Sequence, residues 1–333
     1  MLTMKRTKLP INIMAQTLTL LLLFVISIGM AQNTAPAVKD TTPKDTTETI
    51  KLQLLKRINK SIARTTAYLE TVPVDSIDIG LTYALLDIIK NKFKLKFKMA
   101  EREAVENKFP ELKSGRLKLY GIFYANNKSV PFTQQDIDKL KAEPITSLYD
   151  DKYLLGVSMF CNELPAPPEY LTTFAARIQK YKEERTGLDP VIAGLAYINF
   201  AENKCKEDKI KLDSLHSDIT YVLINRYSGN LKALLELKWF YSEEMNLLPA
   251  VLTSAMLYKI GDCGFYNYDM LFKLLEFQNE DGGWHMLVKK GNSSYSASVA
   301  YLWLMLELKA NADCIDKTAD LQREDTTPIP PKD

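Results

Sequence analysis

The chain has 333 residues, 46% hydrophobic and 25% charged, a globular balance with enough chain for a sizeable core, which excludes a disordered or fibrous protein. Its 13 glycines, about 4% where a typical chain has roughly 7%, disfavour turn-rich all-β architectures and leave helix as the expectation. The formal charge of +2 rests on Lys5, Arg6 and Lys8; beyond residue 31 there are 40 basic against 41 acidic groups, so no basic surface is offered to nucleic acid or to an anionic membrane.

Residues 1–31 have the parts of a secretory signal: the basic start, the apolar stretch Leu18–Ile28, and small residues at Gly29 and Ala31 around Met30. Cleavage is expected after Ala31. The apolar core is shorter than the ~20 residues of a spanning helix, so the mature chain is expected to be exported to the periplasm or beyond, with no stable membrane span. Residues 32–49 contain KDTTPKDTTE and the tail 317–333 ends EDTTPIPPKD. Both read as solvated segments, a linker and a disordered tail, that bound one folded region over 50–316.

Within that region the apolar spacing is helical, and the helices are of two kinds. Gly80–Ile89 is apolar nearly all round and requires cover on every side. Residues 95–150 are charged and irregular, apart from Thr133-Gln-Gln-Asp136, which has the form of a capping box. Leu171–Glu184 is amphipathic, with Leu171, Phe174, Ala175, Ile178 and Tyr181 on one face and Arg177, Lys180, Lys182 and Glu183 opposite. Asp189-Pro190 then signals the start of a second all-apolar run, Val191–Ile198. Amphipathic Leu212–Tyr227, with Asp213 as its start signal, precedes apolar Leu247–Tyr258; amphipathic Met270–Phe277 precedes Ser293/Ser294 and apolar Ala297–Leu308.

Outer amphipathic helices alternating with inner buried ones describe helical hairpins, stacked as a solenoid or closed into a ring. About twelve helices fit the folded region, and six hairpins would close a ring. The fold class is therefore all-α, helical hairpins in a solenoid or a ring, and the ring pattern is weakest over residues 95–150.

Four cysteines, Cys161, Cys205, Cys263 and Cys314, follow the signal, each near the end of an apolar helical run. Their spacing fits no C-x-x-C signature, and only His216 and His285 could add imidazole ligands, so two disulfides are expected rather than zinc. The expected pairing is Cys161 with Cys205 and Cys263 with Cys314.

The most specific local signal is Leu274-Leu-Glu-Phe-Gln-Asn-Glu-Asp-Gly-Gly-Trp284, followed by Ser294-Tyr-Ser-Ala-Ser-Val-Ala-Tyr-Leu-Trp303. It resembles the glutamine–tryptophan repeat of the terpenoid cyclase and protein prenyltransferase superfamily, in Leu274, Gln278, Gly282 and Trp284. The resemblance implies an α/α toroid in which this motif joins an outer helix to an inner one. The residues suit that work: Gly282 and Gly283 permit a sharp turn, Gln278 bonds freed backbone groups, and Trp284 covers the joint.

The superfamily's catalytic equipment is missing. No Asp-x-Asp-Asp acid occurs; Asp136-Ile-Asp138-Lys139 and Asp150-Asp151-Lys152 are the nearest strings. Asp262, Cys263 and His285 supply the residue types of a prenyltransferase zinc site without its spacing, and no cysteine has a thioester string. No metal and no cofactor are therefore expected, and a non-catalytic binding or scaffolding role is favoured. The alternative is a glycan-active lyase or glycoside hydrolase of the α/α-toroid type, which needs two carboxyl groups about 5–10 Å apart.

Five glycines lie between Gly261 and Gly291, among aromatic and acidic residues. From this loop cluster Asp262, Tyr266, Asp269, Asp281, Trp284, His285 and Tyr295 are the candidate ligand contacts, set against a structural reading in which the acids cap helices and His285 lies at the surface. His216 reads as a solvated-face residue. Tyr83, Tyr197, Tyr258, Tyr301 and Trp303 would form the wall of any central cavity, although aromatics at helical spacing are more often plain core, and core is the favoured reading. The expected partner is a small apolar or glycan ligand, or another protein.

Overall fold

A computed structural model describes residues 44–113, 138, 154, 155, 158, 169–185, 188–202, 209–236, 243–313 and 315. The chain divides into two units, Met1–Asp45 and Thr46–Asp333. All of the first but residues 44 and 45 lies outside the described residues, as do the signal segment, the capping box at residue 133, Cys161, Cys205, Cys314 and the tail.

The described residues of the second unit are helical, without strands; only isolated β-bridges occur among them. The helices are α1 (Lys44–Thr71), α2 (Gly80–Lys92), α3 (Arg102–Lys108), α4 (Glu169–Glu184), α5 (Pro190–Glu202), α6 (Lys209–Ser214), α7 (His216–Leu223), α8 (Gly229–Leu235), α9 (Leu248–Lys259), α10 (Tyr268–Leu275) and α11 (Tyr295–Ala310). A π turn, Ile224–Ser228, joins α7 to α8. Residues 44–49, expected to be linker, are the first turns of α1. Pro43 immediately precedes them, as suits the first turn of a helix.

The start signals act as chemistry requires, with one exception. Asp189 accepts from the N–H groups of Val191 and Ile192 at 2.8 and 3.3 Å. Ser294 accepts from Ala297 at 3.2 Å, and Asn267, not among the expected signals, accepts from Met270 at 2.9 Å. These bonds satisfy helix N–H groups that lack intrahelical partners. Asp213 caps nothing: the run 212–227 is broken into the end of α6, then α7, which starts at His216 without a side-chain cap, then the π turn. The π turn has a local cause, since the buried Ser228 hydroxyl donates to the Leu223 carbonyl at 2.7 Å.

The all-apolar helices pack on one another. α11 lies against α9 and α2, and α9 also lies against α5. The sixteen residues of α11 include fourteen consecutive buried ones, Tyr295 to Leu308. Close approach of α5 requires Gly194, because a Cβ there would meet Met256 Sδ at 2.6 Å and Leu223 Cδ2 at 2.8 Å. The amphipathic helices cover this set from outside: α7 touches α4, α5 and α9, while α8 touches α9 and α10. On α4, Phe174, Ile178 and Tyr181 are buried as expected. Arg177, assigned by spacing to the wet face, is buried too, at 4% exposure.

The second helix and the last meet at both of their ends. At the start of α11, Asp78 accepts from the Ser296 N–H at 3.1 Å, from the Ser296 hydroxyl, and from the Ser294 hydroxyl at 2.6 Å. Thr82 of α2 bonds Ser296 Oγ at 2.9 Å. At the other end, Lys92 of α2 reaches Glu307 of α11 at 3.0 Å and Glu202 of α5 at 3.7 Å, and Lys259 of α9 pairs with Glu202. Trp303 donates its indole N–H to Glu307 at 3.0 Å. Burial lowers the pKa of Lys92 against the pull of Glu307, whereas Glu202 outweighs burial at Lys259 and raises it.

Four apolar helices are thus tied at their C-terminal turns by two lysines and two glutamates, where cations also favour the helix dipoles. Glu307→Ala should lower the unfolding free energy by about 2–3 kcal/mol, because it strips both Lys92 and the Trp303 indole of a partner. Urea denaturation at neutral pH checks this, and in the double variant with Lys92→Ala the cost should be less than additive.

Candidate functional site

The glutamine–tryptophan-like segment follows α10 and leads into α11. Gln278 and Trp284, and Trp284 and Ser294, form antiparallel bridges around the turn. Gly282 has φ +91°, and a Cβ on it would meet the Arg64 carbonyl oxygen of α1 at 2.5 Å. Only glycine meets both demands. Gln278 donates to the carbonyls of Ser61 and Gly282 at 3.1 and 2.9 Å and to the Thr65 hydroxyl at 2.9 Å. Arg64 replies from α1, donating to the carbonyls of Asn279 and Glu280 at 2.7 and 2.9 Å.

Trp284 is fully buried at the centre of this joint. Its indole N–H donates to Thr65 at 2.9 Å, its backbone N–H donates to Ser298 Oγ at 3.0 Å, and its ring stacks on Tyr301 of α11 at 4.1 Å and 8°. One side chain therefore locks α1, the turn and α11 together. Ser61, Arg64, Thr65 and Asp78 were not singled out by sequence, since their spacing on α1 and in the loop before α2 is ordinary; the signal would have been a polar ridge, Ser61, Arg64, Thr65, on an otherwise amphipathic helix.

The other candidate ligand contacts divide between the interior and the surface. Tyr266 and Tyr295 are buried; the Tyr266 hydroxyl bonds Ser254 Oγ at 2.6 Å. Burial pushes the pKa of both far up, and nearby Tyr83 and Asp78 add to the effect at Tyr295. Asp281 is exposed and accepts from the Gly283 N–H at 2.9 Å and the Ser293 hydroxyl at 2.7 Å, closing the turn. Asp269 is exposed in the first turn of α10, and Asp262 is half-buried after α9. His285, read as a surface residue in the structural alternative, is buried at 3% exposure; its Nδ1 lies 2.5 Å from the Leu287 carbonyl, and its ring meets Phe277 edge-on at 5.4 Å.

His216 is half-buried rather than solvated, with Nε2 3.1 Å from the Ile260 carbonyl. Cys263 is buried and disulfide-bonded, and the other half of the bond lies outside the described residues.

A second feature lies among the apolar helices themselves. A cavity of about 80 Å³ is lined by Leu81, Thr82 and Leu85 of α2, Leu155, Val191, Ile192 and Leu195 of α5, Leu252 and Met256 of α9, and Trp303 of α11. Its two polar side chains turn their polar atoms away: Thr82 Oγ1 bonds the Ile79 carbonyl at 2.6 Å and Ser296, and the Trp303 indole bonds Glu307. The wall is therefore hydrocarbon, and of the five aromatic residues expected there only Trp303 contributes. Tyr258 and Tyr301 are fully buried elsewhere in the core, and the Tyr83 hydroxyl donates to the Ala100 carbonyl at 2.9 Å. Leu81, Val191, Ile192 and Leu252 are half-buried, whereas Leu85, Leu155, Leu195, Met256 and Trp303 are buried. The cavity accordingly faces outward at the helix starts, with the tied C-terminal turns behind Trp303.

Among the described residues no group of three or more His, Cys, Asp or Glu side chains could hold a metal ion, and no helix is long and apolar enough to cross a membrane. No family model, curated protein or solved structure matches the chain.

Trp284→Ala should cost about 3–5 kcal/mol of stability, and Gly282→Ala at least about 2 kcal/mol through backbone strain and the clash with Arg64; both are read from urea denaturation midpoints. The phenols of Tyr68 and Tyr83 supply a pH test. Burial, aided by Asp281 and Asp78 at Tyr68 and by Asp87 at Tyr83, moves each from 10.0 to about 12. Folding thus favours their protonated forms: that stabilisation is complete below pH 10 and is lost as pH rises through 12. Denaturation midpoints should fall across this window, in step with delayed tyrosinate absorbance.

Proposed function

We propose that the chain is a non-catalytic α/α-toroid binding protein that receives a small apolar molecule, or the apolar end of a larger one, between its inner helices. The hydrocarbon-lined cavity carries this reading. Its volume, about half that of the ~150 Å³ cavity known to hold benzene, suits a group of a few carbons. A lining that exposes no polar atom favours an apolar ligand over a glycan, whose hydroxyls would lose their hydrogen bonds on entry.

The toroid reading draws support from the contact of α2 with α11, which brings an early inner helix beside the last one, as ring closure requires. Export draws support from the sequence of residues 1–31 and from the disulfide at Cys263, which suits an oxidising compartment. We pair Cys263 with Cys314 and Cys161 with Cys205, and we assign the glutamine–tryptophan-like motif to scaffold work within the superfamily it resembles.

Native mass spectrometry of the exported protein, purified without reductant, tests both points. The expected spectrum lacks four hydrogens and retains a small apolar molecule that Leu252→Phe, which fills the cavity mouth, no longer carries. A wild-type chain that comes away empty and takes up neither xenon nor benzene would overturn the binding role. The same Leu252→Phe change should raise the stability of the empty protein by about 0.5–1 kcal/mol.

A further inference from the structure

Beyond residue 31 the basic and acidic groups are nearly equal in number, but they are not evenly spread. Lys90, Lys92, Lys94, Lys96 and Lys98 stand within one short stretch, with no acid between Asp87 and Glu101, so the near-neutral total does not describe this strip. It begins where α2 ends: Lys94 takes a left-handed conformation, φ 53°, and the Leu95 N–H donates to the Lys90 carbonyl at 2.9 Å. From Leu95 to Ala100 the chain is neither helix nor turn, and exposure alternates along it. Lys94, Lys96 and Lys98 are exposed, whereas Phe93, Leu95, Phe97 and Met99 are half-buried against the core. A period of two is that of an extended chain, and it sets Lys96 and Lys98 outward about 7 Å apart, with Lys94 at the head of the row.

An extended chain directs the N–H and C=O groups of alternate residues to opposite edges. One edge of this segment is engaged by the protein: the Lys98 N–H donates to Glu70 Oε1 of α1 at 3.1 Å, and the Ala100 carbonyl accepts from the Tyr83 hydroxyl of α2 at 2.9 Å. The other edge belongs to Phe97 and Met99, whose backbone groups have no hydrogen-bond partner among the described residues. The lysines are as lightly engaged. Lys98 makes a surface pair with Glu101 at 3.6 Å, and the Lys90 ammonium lies 5.3 Å from the centre of the Phe97 ring. Lys94 and Lys96 have no carboxylate partner among the described residues.

We propose that this edge takes up an extended acidic segment of another protein as an added β-strand, its backbone paired to Phe97 and Met99 and an acidic side chain at every second residue facing Lys96 and Lys98. In an antiparallel pair the residues opposite Lys96 and Lys98 occupy the non-hydrogen-bonded positions, where side chains approach most closely. A second copy of the chain does not fit, because pairing two such segments sets lysine beside lysine. The lysines thus reject self-association and admit a strand of opposite charge. A membrane fits less well, since the apolar side chains that would enter it are packed inward, leaving main-chain and ammonium groups for recognition. The strip shares no residue with the apolar cavity and does not depend on it.

Titration of a fluorescein-labelled peptide of alternating threonine and glutamate with the full chain, read by anisotropy at constant ionic strength, tests the site. The expected result is saturable binding. Lys96→Gln and Lys98→Gln should each weaken it about two- to fivefold, as loss of one cross-strand charge pair implies. Lys289→Gln, an equal charge change at an exposed residue paired with Glu243 at 3.4 Å, should bind as the wild type does. A peptide of the same charge with N-methylated threonines should not bind, because it cannot donate to the Phe97 and Met99 carbonyls. No saturable binding, equal binding of the N-methylated peptide, or a loss in Lys289→Gln as large as in Lys96→Gln would overturn the proposal. Phosphatidylglycerol vesicles that bind through Lys96 and Lys98 while the peptide does not would overturn it in favour of a membrane surface.

Discussion

Helix α11 has no polar face, and burial of its fourteen residues from Tyr295 to Leu308 sets the terms for the helices around it. A helix of that kind gains little from its own hydrogen bonds in isolation and is held by apolar contact on all sides. Helices α2 and α9 supply two of those sides, and the turn containing Trp284 supplies another through the stacked Trp284–Tyr301 pair. The polar groups that must accompany α11 inward are each matched: Ser296 to Asp78, Ser298 to the Trp284 backbone, Glu307 to Lys92 and Trp303.

Those matches explain why the polar residues fall where they do. At the start of α11 the unsatisfied N–H groups of the first turn are met by Asp78 and Ser294, and at its end Glu307 lies where two lysines from neighbouring helices converge. Between the two polar ends the packing is hydrocarbon, and there the cavity opens.

The glutamine–tryptophan-like segment does its work through α1. Gln278 and Arg64 exchange hydrogen bonds with backbone groups on opposite sides of the joint, and Gly282 allows the two chains to approach within contact distance. Trp284, a candidate for ligand contact and for scaffold work alike, spends both of its N–H groups inside the protein. The tyrosines beside it are likewise interior.

Periodicity alone determined the helical class, the division into wet-faced and wholly buried helices, and the starts at Asp189 and Ser294, because these depend on spacing along one chain and on the nearest backbone groups. The turn chemistry of Gln278, Gly282 and Trp284 was legible for the same reason. Nothing local marked Arg177 or His285 as buried, Asp213 as idle, or Thr47 as helical, since each outcome depends on what covers the residue. Tyr83, Tyr197, Tyr258 and Tyr301 are core, as their helical spacing favoured, whereas which side chains line the cavity is decided by how the helices meet. The pairing of Lys92 with Glu307, 215 residues apart, and of Gln278 with Ser61, 217 apart, belongs to tertiary structure entirely: a charge or an amide carries no mark of its partner until folding brings the two within a few ångströms.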